Sequence, residues 1–442
     1  MRLQNNFGCI SFEGGGQIMN TTNYRNIISQ KERLITPKRI VAINVKNGKT
    51  IWLTNKVFPQ HFYPLSIKDY CEAVKVAVKS GIDRMPILSV SSKDFPYCDF
   101  KCLDCLACPS REWAVADNHI KYPIIPIELY KKILDEISRY SKERGCEHVR
   151  FEICGEGNPD LYKDRVEMIE YATKNCGMKI VYVSTGSKMN EELIDCLARN
   201  SFCIRISFPG ITPTAYDVYS NQRNWSFGYE EAISLLKKLT EKRKKYGREG
   251  ELLIGVRTCI RPLNDGSYKK FLATIGELGV DAFQAVKVLT PEFGKHLEQT
   301  MSREVVKELL ELKENYKELG IQDFQIPNDL NKIYNDRSLR DEMKPSKCWS
   351  SMVSPPLYGT NLMCCVLWDR ITDLSYHYGI MEGEIGELEN MMTGANARYI
   401  KENCPKNCKD CCSYNDNKFM ESLWKTLKVQ DDVDDIEFFF EY

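Results

Sequence analysis

A chain of 442 residues that is 43% hydrophobic and 28% charged has the balance of a folded globular protein, which excludes a collagen, a mini-protein and a disordered tail. Its 61 basic residues match its 61 acidic ones, so the charge calls for neither nucleic acid nor an anionic membrane as partner. The outlier is cysteine, at 19 residues, below the ~8–10% of a disulfide scaffold.

The first residues lack an apolar signal-type segment, and no run of ~18 apolar residues occurs anywhere. A cytoplasmic location is therefore expected, where clustered thiols bind metal more often than they pair. Residues 1–85 read as an accessory α+β piece. RIVAINV and TIWLT flank Asn47-Gly48, a strong hairpin signal, and residues 69–81 read as a helix stopped by Gly81. Gly14, Gly15 and Gly16 lack the strand, spacing and lysine of a phosphate cradle and read as a loop.

Between residues 86 and 290, strands and helices alternate. Apolar runs at 87–92, 148–154, 179–185, 203–208, 252–258 and 282–288 read as strands. The helix over 127–144 places Tyr130, Ile133, Leu134 and Ile137 on one face, and the helix over 229–246 does the same with Ile233, Leu236 and Leu239. Asn190 is expected as an N-cap, and Gly145 and Gly279 as helix stops. Six such units predict an α/β chain built as a partial (βα)6 TIM-like barrel. In that architecture chemistry sits at the C-terminal strand ends, so the loops after Ser92, Cys154, Thr185, Phe208, Thr258 and Val288 should surround one mouth. The basic run from Lys242 to Lys245 reads as a solvated helix face. Residues 291–345 read as a linker or helical bridge, and 346–442 as a cysteine-rich domain. The closing DDVDDIEFFFEY is either frayed or docked by its aromatics.

After the first strand of the repeat comes FPYCDFKCLDCLAC. Cys98, Cys102 and Cys105 form C-x3-C-x2-C, three thiolates on one tight loop. On a four-iron cube these leave one iron open to a small ligand. A zinc knuckle using Cys102, Cys105, Cys108 and a remote ligand is the alternative that this loop alone leaves standing.

The same loop at the end of the first barrel strand resembles the radical S-adenosylmethionine (radical SAM) enzymes, and the resemblance covers roughly residues 86–290. It implies that Cys98, Cys102 and Cys105 hold a [4Fe–4S] cluster whose fourth iron is chelated by S-adenosylmethionine. ICGEGNPDL, with Gly155, Glu156, Gly157, Asn158 and Pro159, resembles the family's glycine-rich segment that meets the ligand's amino group. Glycine suits such a site because bare backbone lets a charged ligand come close. Ser184, Thr185 and Gly186 resemble the third-strand end, and Arg205 and Ser207 the fourth strand, which often contacts the ligand's carboxylate or ribose. One departure is Asp104, where the family usually carries an aromatic against adenine.

Near the C-terminus, Cys348, Gly359 and Cys364 resemble the opening of the SPASM/twitch extension, and CPKNCKDCC follows. The longer run of a full SPASM domain is absent, so the resemblance implies one auxiliary [4Fe–4S] cluster on Cys348, Cys364, Cys408 and Cys411, with structural zinc as the rival. Cys9, Cys71, Cys146, Cys176 and Cys196 read as inert, while Cys154 and Cys259 are candidate hydrogen-atom donors. The implied activity is reductive cleavage of S-adenosylmethionine to a 5′-deoxyadenosyl radical that abstracts hydrogen from a peptide or protein. An electron donor such as flavodoxin or ferredoxin would supply the electron. An aminosugar or polyol dehydrogenase or epimerase is the alternative, and a non-enzymatic iron–sulfur or zinc protein the minor one. The accessory piece, loosely resembling a peptide-recognition winged helix, favours the peptide.

Overall fold

The computed structural model describes residues 39–44, 46, 50–53, 67–92, 98–102, 125–154, 157–220, 227–286, 303–326, 349, 355–358, 361–363, 377–400, 414–430 and 433–441. Of the residues singled out above, Cys9, Gly14, Gly15, Gly16, Asn47, Gly48, Asp104, Cys105, Cys108, Gly155, Glu156, Val288, Cys348, Gly359, Cys364, Cys408 and Cys411 lie outside the described residues.

The described residues begin with the expected antiparallel pair, β1 (Arg39–Asn44) and β2 (Thr50–Leu53), followed by α1 (Ile67–Ser80), which Gly81 ends. Alternation follows: β3 (Ser89–Ser92), α2 (Ile127–Lys142), β4 (Arg150–Ile153), α3 (Arg165–Lys174), β5 (Lys179–Ser184), α4 (Glu191–Asn200) and β6 (Ser201–Phe208). It continues through α5 (Pro213–Ser220), α6 (Tyr229–Lys245), β7 (Leu253–Cys259), α7 (Tyr268–Glu277), β8 (Ala282–Val286), α8 (Arg303–Asn315) and β9 (Asp323–Gln325). The C-terminal portion adds β10 (Pro356–Tyr358), β11 (Asn361–Met363), β12 (His377–Ile380), α9 (Glu387–Thr393), α10 (Tyr414–Leu427) and β13 (Ile436–Glu441).

Strands β3 to β9 lie side by side in sequence order, all parallel, as right-handed βα repeats require. The sheet exceeds the six expected strands by β9, which the sequence left inside the linker. β10 pairs in parallel with the free side of β3, and β11 and β12 continue antiparallel from it. Among the described residues β10 and β9 do not meet, so the barrel is partial.

Helix faces follow the apolar periodicity. α2 buries Tyr130, Ile133, Leu134, Ile137 and Tyr140 against the sheet, each large apolar side chain contributing about 1.5–3 kcal/mol on burial. α6 instead buries Ala232, Leu235, Leu236 and Leu239, which leaves Ile233 at the margin of the expected face. Asn190 caps α4 by accepting a 2.9 Å hydrogen bond from Leu193 N. The basic run is corrected at one residue: Arg243 is buried, pairing with Asp281 and donating to Gly279 O at 2.7 Å. Its neighbour Lys242 pairs with Asp195 at 2.9 Å.

The tail is docked. β13 pairs antiparallel with β1 along six residues, from Arg39↔Glu441 to Asn44↔Ile436, making a three-stranded sheet from segments far apart in sequence. α1 and α10 pack on one another, with the Tyr70 and Phe419 rings edge-on at 6.4 Å, and Lys75 Nζ donates to Ile436 O at 2.7 Å. Asp69 of α1 pairs with Arg150 at 3.2 Å, joining this sheet-and-helix unit to the N-terminal end of the barrel.

Candidate functional site

Strand alternation sorts the barrel residues into two faces. Phe151, Ile153, Tyr182, Ile204, Ile206, Ile254, Val256 and Phe283 belong to the large cluster under the helices. The opposite face holds a small apolar patch of Val181, Phe202, Cys203, Leu253 and Ala282. Phe202 reaches that patch because a register shift at Ile180/Val181 inserts it between paired residues. Arg150 lies over its ring at 5.2 Å. Towards the C-terminal strand ends the inner face turns polar. Ser91 Oγ donates to Glu152 Oε2 at 2.6 Å, and Arg205 Nη2 reaches Glu152 Oε1 at 3.4 Å. Ser207, Arg257, Gln284 and Gln325 then share one register row across β6, β7, β8 and β9. Burial, together with repulsion from Arg205, pulls Arg257 below the ordinary guanidinium range.

The loop leaving β3 is anchored at three points. Phe100 is buried between two rings, Tyr216 at 6.3 Å and Phe227 at 6.5 Å. Lys101 N donates to Ser220 O at 3.1 Å. Asp99 Oδ1 accepts from Asn158 Nδ2 at 3.0 Å. Cys98 and Cys102 flank these anchors, the first exposed and the second half-buried.

Asn158 joins three of the expected loops. Only 1% exposed, it also donates to Thr185 Oγ1 at 3.2 Å and Ser187 Oγ at 2.9 Å, and its Oδ1 accepts from Asp160 N at 3.2 Å and Ser184 Oγ at 3.1 Å. Asp160, buried behind it, accepts from Tyr182 Oη at 2.9 Å and Ser184 Oγ at 2.7 Å, and burial raises its carboxyl above the ordinary range. The Asn158 and Ser184 side chains are thus engaged with protein groups, whereas the Ser207 side chain makes no hydrogen bond among the described residues. Gly186 turns the chain out of β5 with φ +82°, and a Cβ there would lie 2.2 Å from Leu235 Cδ2, so the turn demands glycine.

Cys154 is buried and Cys259 half-buried, both next to strand ends at the mouth. Burial pushes the thiols of Cys146 and Cys196 up to about 11 and that of Cys176 up to about 12, which leaves little nucleophilic thiolate at neutral pH. Glu152, Asp160, Arg257 and Gln284 were missed by the sequence reading. For the three on strands the signal was present as period-two alternation, as in Phe151/Glu152/Ile153 and Val256/Arg257/Thr258, inside strands read only as apolar runs, whereas Asp160 lies in the turn Pro159–Leu161.

No protein-family model matches the chain, and no curated protein matches it. Solved structures do. SuiB of Streptococcus suis superimposes with a TM-score of 0.50 at 12% identity over 81% of this chain and 77% of that one. The native form of anSMEcpe with bound AdoMet gives a TM-score of 0.51 at 12% identity, over 76% of this chain and 96% of that one. Its hexahistidine-tagged form with bound AdoMet gives 0.50 at 14% identity, over 75% and 84%. The chain shares the partial-barrel fold of these structures. Among the described residues no helix is long and apolar enough to cross a membrane.

Proposed function

We propose that the chain is a radical SAM enzyme that modifies a peptide or protein. The observation that carries the reading is a coincidence of place: Cys98 and Cys102 leave the C-terminal end of β3 at the mouth of a parallel barrel of this fold, over an inner face bearing Arg205 and Arg257. Three thiolates from Cys98, Cys102 and Cys105 suit a [4Fe–4S] cluster with one open iron. The mouth suits S-adenosylmethionine, because Arg205, held at 3.4 Å by the one nearby carboxylate, Glu152, offers a guanidinium that favours a ligand's carboxylate. When bound, cluster and ligand supply a 5′-deoxyadenosyl radical, the hard part of the chemistry.

The chain's own residues position and enclose. Phe100, Lys101 and Asn158 fix the loop that carries Cys98 and Cys102. Gly155, Glu156 and Gly157 bring backbone to the ligand's amino group, Arg205 and Ser207 serve its carboxylate and ribose, and Asn158 and Ser184 hold these loops in register. Cys348, Cys364, Cys408 and Cys411 hold one auxiliary [4Fe–4S] cluster, and flavodoxin or ferredoxin delivers the electron. The three-stranded sheet beside α1 supports a peptide substrate, since β2 pairs on one side only among the described residues and an open edge accepts an extended chain.

Anaerobic reconstitution tests the reading. The wild-type protein should bind about eight irons, two clusters' worth, and form 5′-deoxyadenosine with dithionite. Replacing Cys98, Cys102 and Cys105 together by Ala should remove about four irons and all 5′-deoxyadenosine. Continued formation in that variant refutes the assignment.

A further inference from the structure

Within the barrel mouth, two side chains are left with unused capacity of opposite kinds. The Arg257 side chain makes no hydrogen bond and no ion pair among the described residues, and burial and the neighbouring Arg205 oppose its charge more than the more weakly felt Glu152 supports it. Arg257 is half-buried, and a guanidinium partly withdrawn from water is favoured by a partner of opposite charge. Its direct register neighbour on β8 is Gln284. The Gln284 amide donates through Nε2 to Gln325 Oε1 at 3.3 Å, and Gln325 is itself held by Asp323 Oδ2 at 2.9 Å. The Gln284 Oε1 atom is buried and has no hydrogen-bond partner among the described residues. One strand separation, about 4.8 Å, therefore lies between a row position that needs an anion and one that needs an N–H donor. On the other side of Arg257 in the same row sits Ser207, on the strand assigned above to S-adenosylmethionine.

We infer that Arg257 and Gln284 form a substrate subsite that binds a carboxylate on the guanidinium and an adjacent amide N–H on Gln284 Oε1. The inference rests on the peptide reading above and narrows it. The group held next to the cofactor is an acidic residue, or the C-terminal carboxylate, of the peptide. Bidentate guanidinium–carboxylate geometry supplies orientation as well as attraction. Placing the site one strand beyond Ser207 sets the substrate beside the cofactor without sharing its ligands. Leaving Arg257 unpaired until substrate arrives destabilises the empty barrel, as functional sites commonly do.

Three probes separate the possibilities in ligand-observed NMR titrations of the reconstituted holoenzyme with S-adenosylmethionine present. They are N-acetyl-L-glutamate N-methylamide, its glutamine counterpart, and N-acetyl-L-alanine with a free carboxylate. The glutamate probe should bind, and Arg257→Gln should weaken it at least tenfold. Gln284→Leu should weaken it several-fold, and the glutamine probe should bind poorly to every form. Preference for the alanine probe assigns the site to a chain terminus instead of an acidic side chain. The melting temperature of Arg257→Gln should be no lower than wild type, because the change removes a half-buried guanidinium that Arg205 repels. A lowered melting temperature, equal glutamate binding by Arg257→Gln, or no carboxylate binding by wild type overturns the subsite. So does a loss of S-adenosylmethionine affinity in Arg257→Gln with glutamate binding intact. Carboxylate binding through Arg257 in an enzyme that forms no 5′-deoxyadenosine would sustain the subsite and refute the proposed function.

Discussion

Replacing Asn158 by Ala should loosen the cysteine loop and the end of β5 together. The wild-type amide bonds to Asp99, Thr185 and Ser187 as donor, and to Asp160 N and Ser184 Oγ as acceptor. The Asp99 contact is charge-assisted, worth about 1.5–3 kcal/mol, while each neutral bond is worth about 1 kcal/mol and a stranded buried partner costs about 1–3 kcal/mol. Thr185 and Ser187 also bond to each other at 3.0 Å, and Ser184 still reaches Asp160, so these groups recover part of the loss. The net is about 2–4 kcal/mol, on the order of 5–15 °C in melting temperature for a domain of this size. Thermal unfolding measures the total, and hydrogen exchange locates it: protection should fall at Asp99 to Lys101 and at Gly186 to Lys188 while α7 stays protected. Ser187→Ala removes two neutral bonds, to Asn158 at 2.9 Å and to Thr185 at 3.0 Å, both of whose partners keep other bonds, and should cost only about 1–2 kcal/mol. An Asn158→Ala protein melting within 1 °C of wild type, or losing protection in one loop alone, would show that Asn158 does not couple the two.

Glu136, only 3% exposed, accepts from Gly386 N at 3.1 Å and Leu388 N at 3.2 Å while paired with Arg139, so Glu136→Ala should cost about 3–5 kcal/mol. The loss should appear as faster hydrogen exchange in α9, and unchanged exchange there refutes the clamp. Asp160 has a folded pKa raised by burial, so its contribution to stability is fully present below the unfolded value of about 3.9 and is lost as pH rises through the folded value. Wild-type stability relative to Asp160→Asn should therefore fall from pH 4 towards neutrality, and a difference that grows with pH in equilibrium urea unfolding contradicts this sign. Gly186→Ala forces a Cβ onto Leu235 at φ +82° and should cost at least about 1–2 kcal/mol, so a wild-type melting temperature refutes the turn argument.

The barrel was readable because its strands alternate with amphipathic helices at regular spacing, and the outer residues that pack on those helices dominate the apolar signal. Tyr130, Ile133, Leu134 and Ile137 lie where periodicity puts them. β9 escaped notice because three residues, Asp-Phe-Gln, carry no period, and β10 is equally short. β13 could not be settled from FFFEY alone. Its pairing partner is β1, some four hundred positions away, and register with a distant strand leaves no local trace. Arg243 was read as solvated because a run of four basic residues shows only its average character. The buried acceptor that singles one out, Asp281, lies on another segment.

The inner face was hard to read for a related reason, and it is where the proposed site lies. A strand buried on both sides resembles any apolar run, so polar residues at alternate positions look like interruptions. In a barrel they line the interior. The two faces divide the work: the outer face joins the large apolar cluster that holds the fold, while the inner one closes only a five-residue apolar patch near its base. Substitutions in the upper inner layer can therefore change ligand binding with little loss of packing. Arg257 sharpens the point, since its removal should relieve like-charge repulsion from Arg205 and weaken substrate binding at once. Substitution of a residue kept only for stability has no reason to move those two quantities in opposite directions.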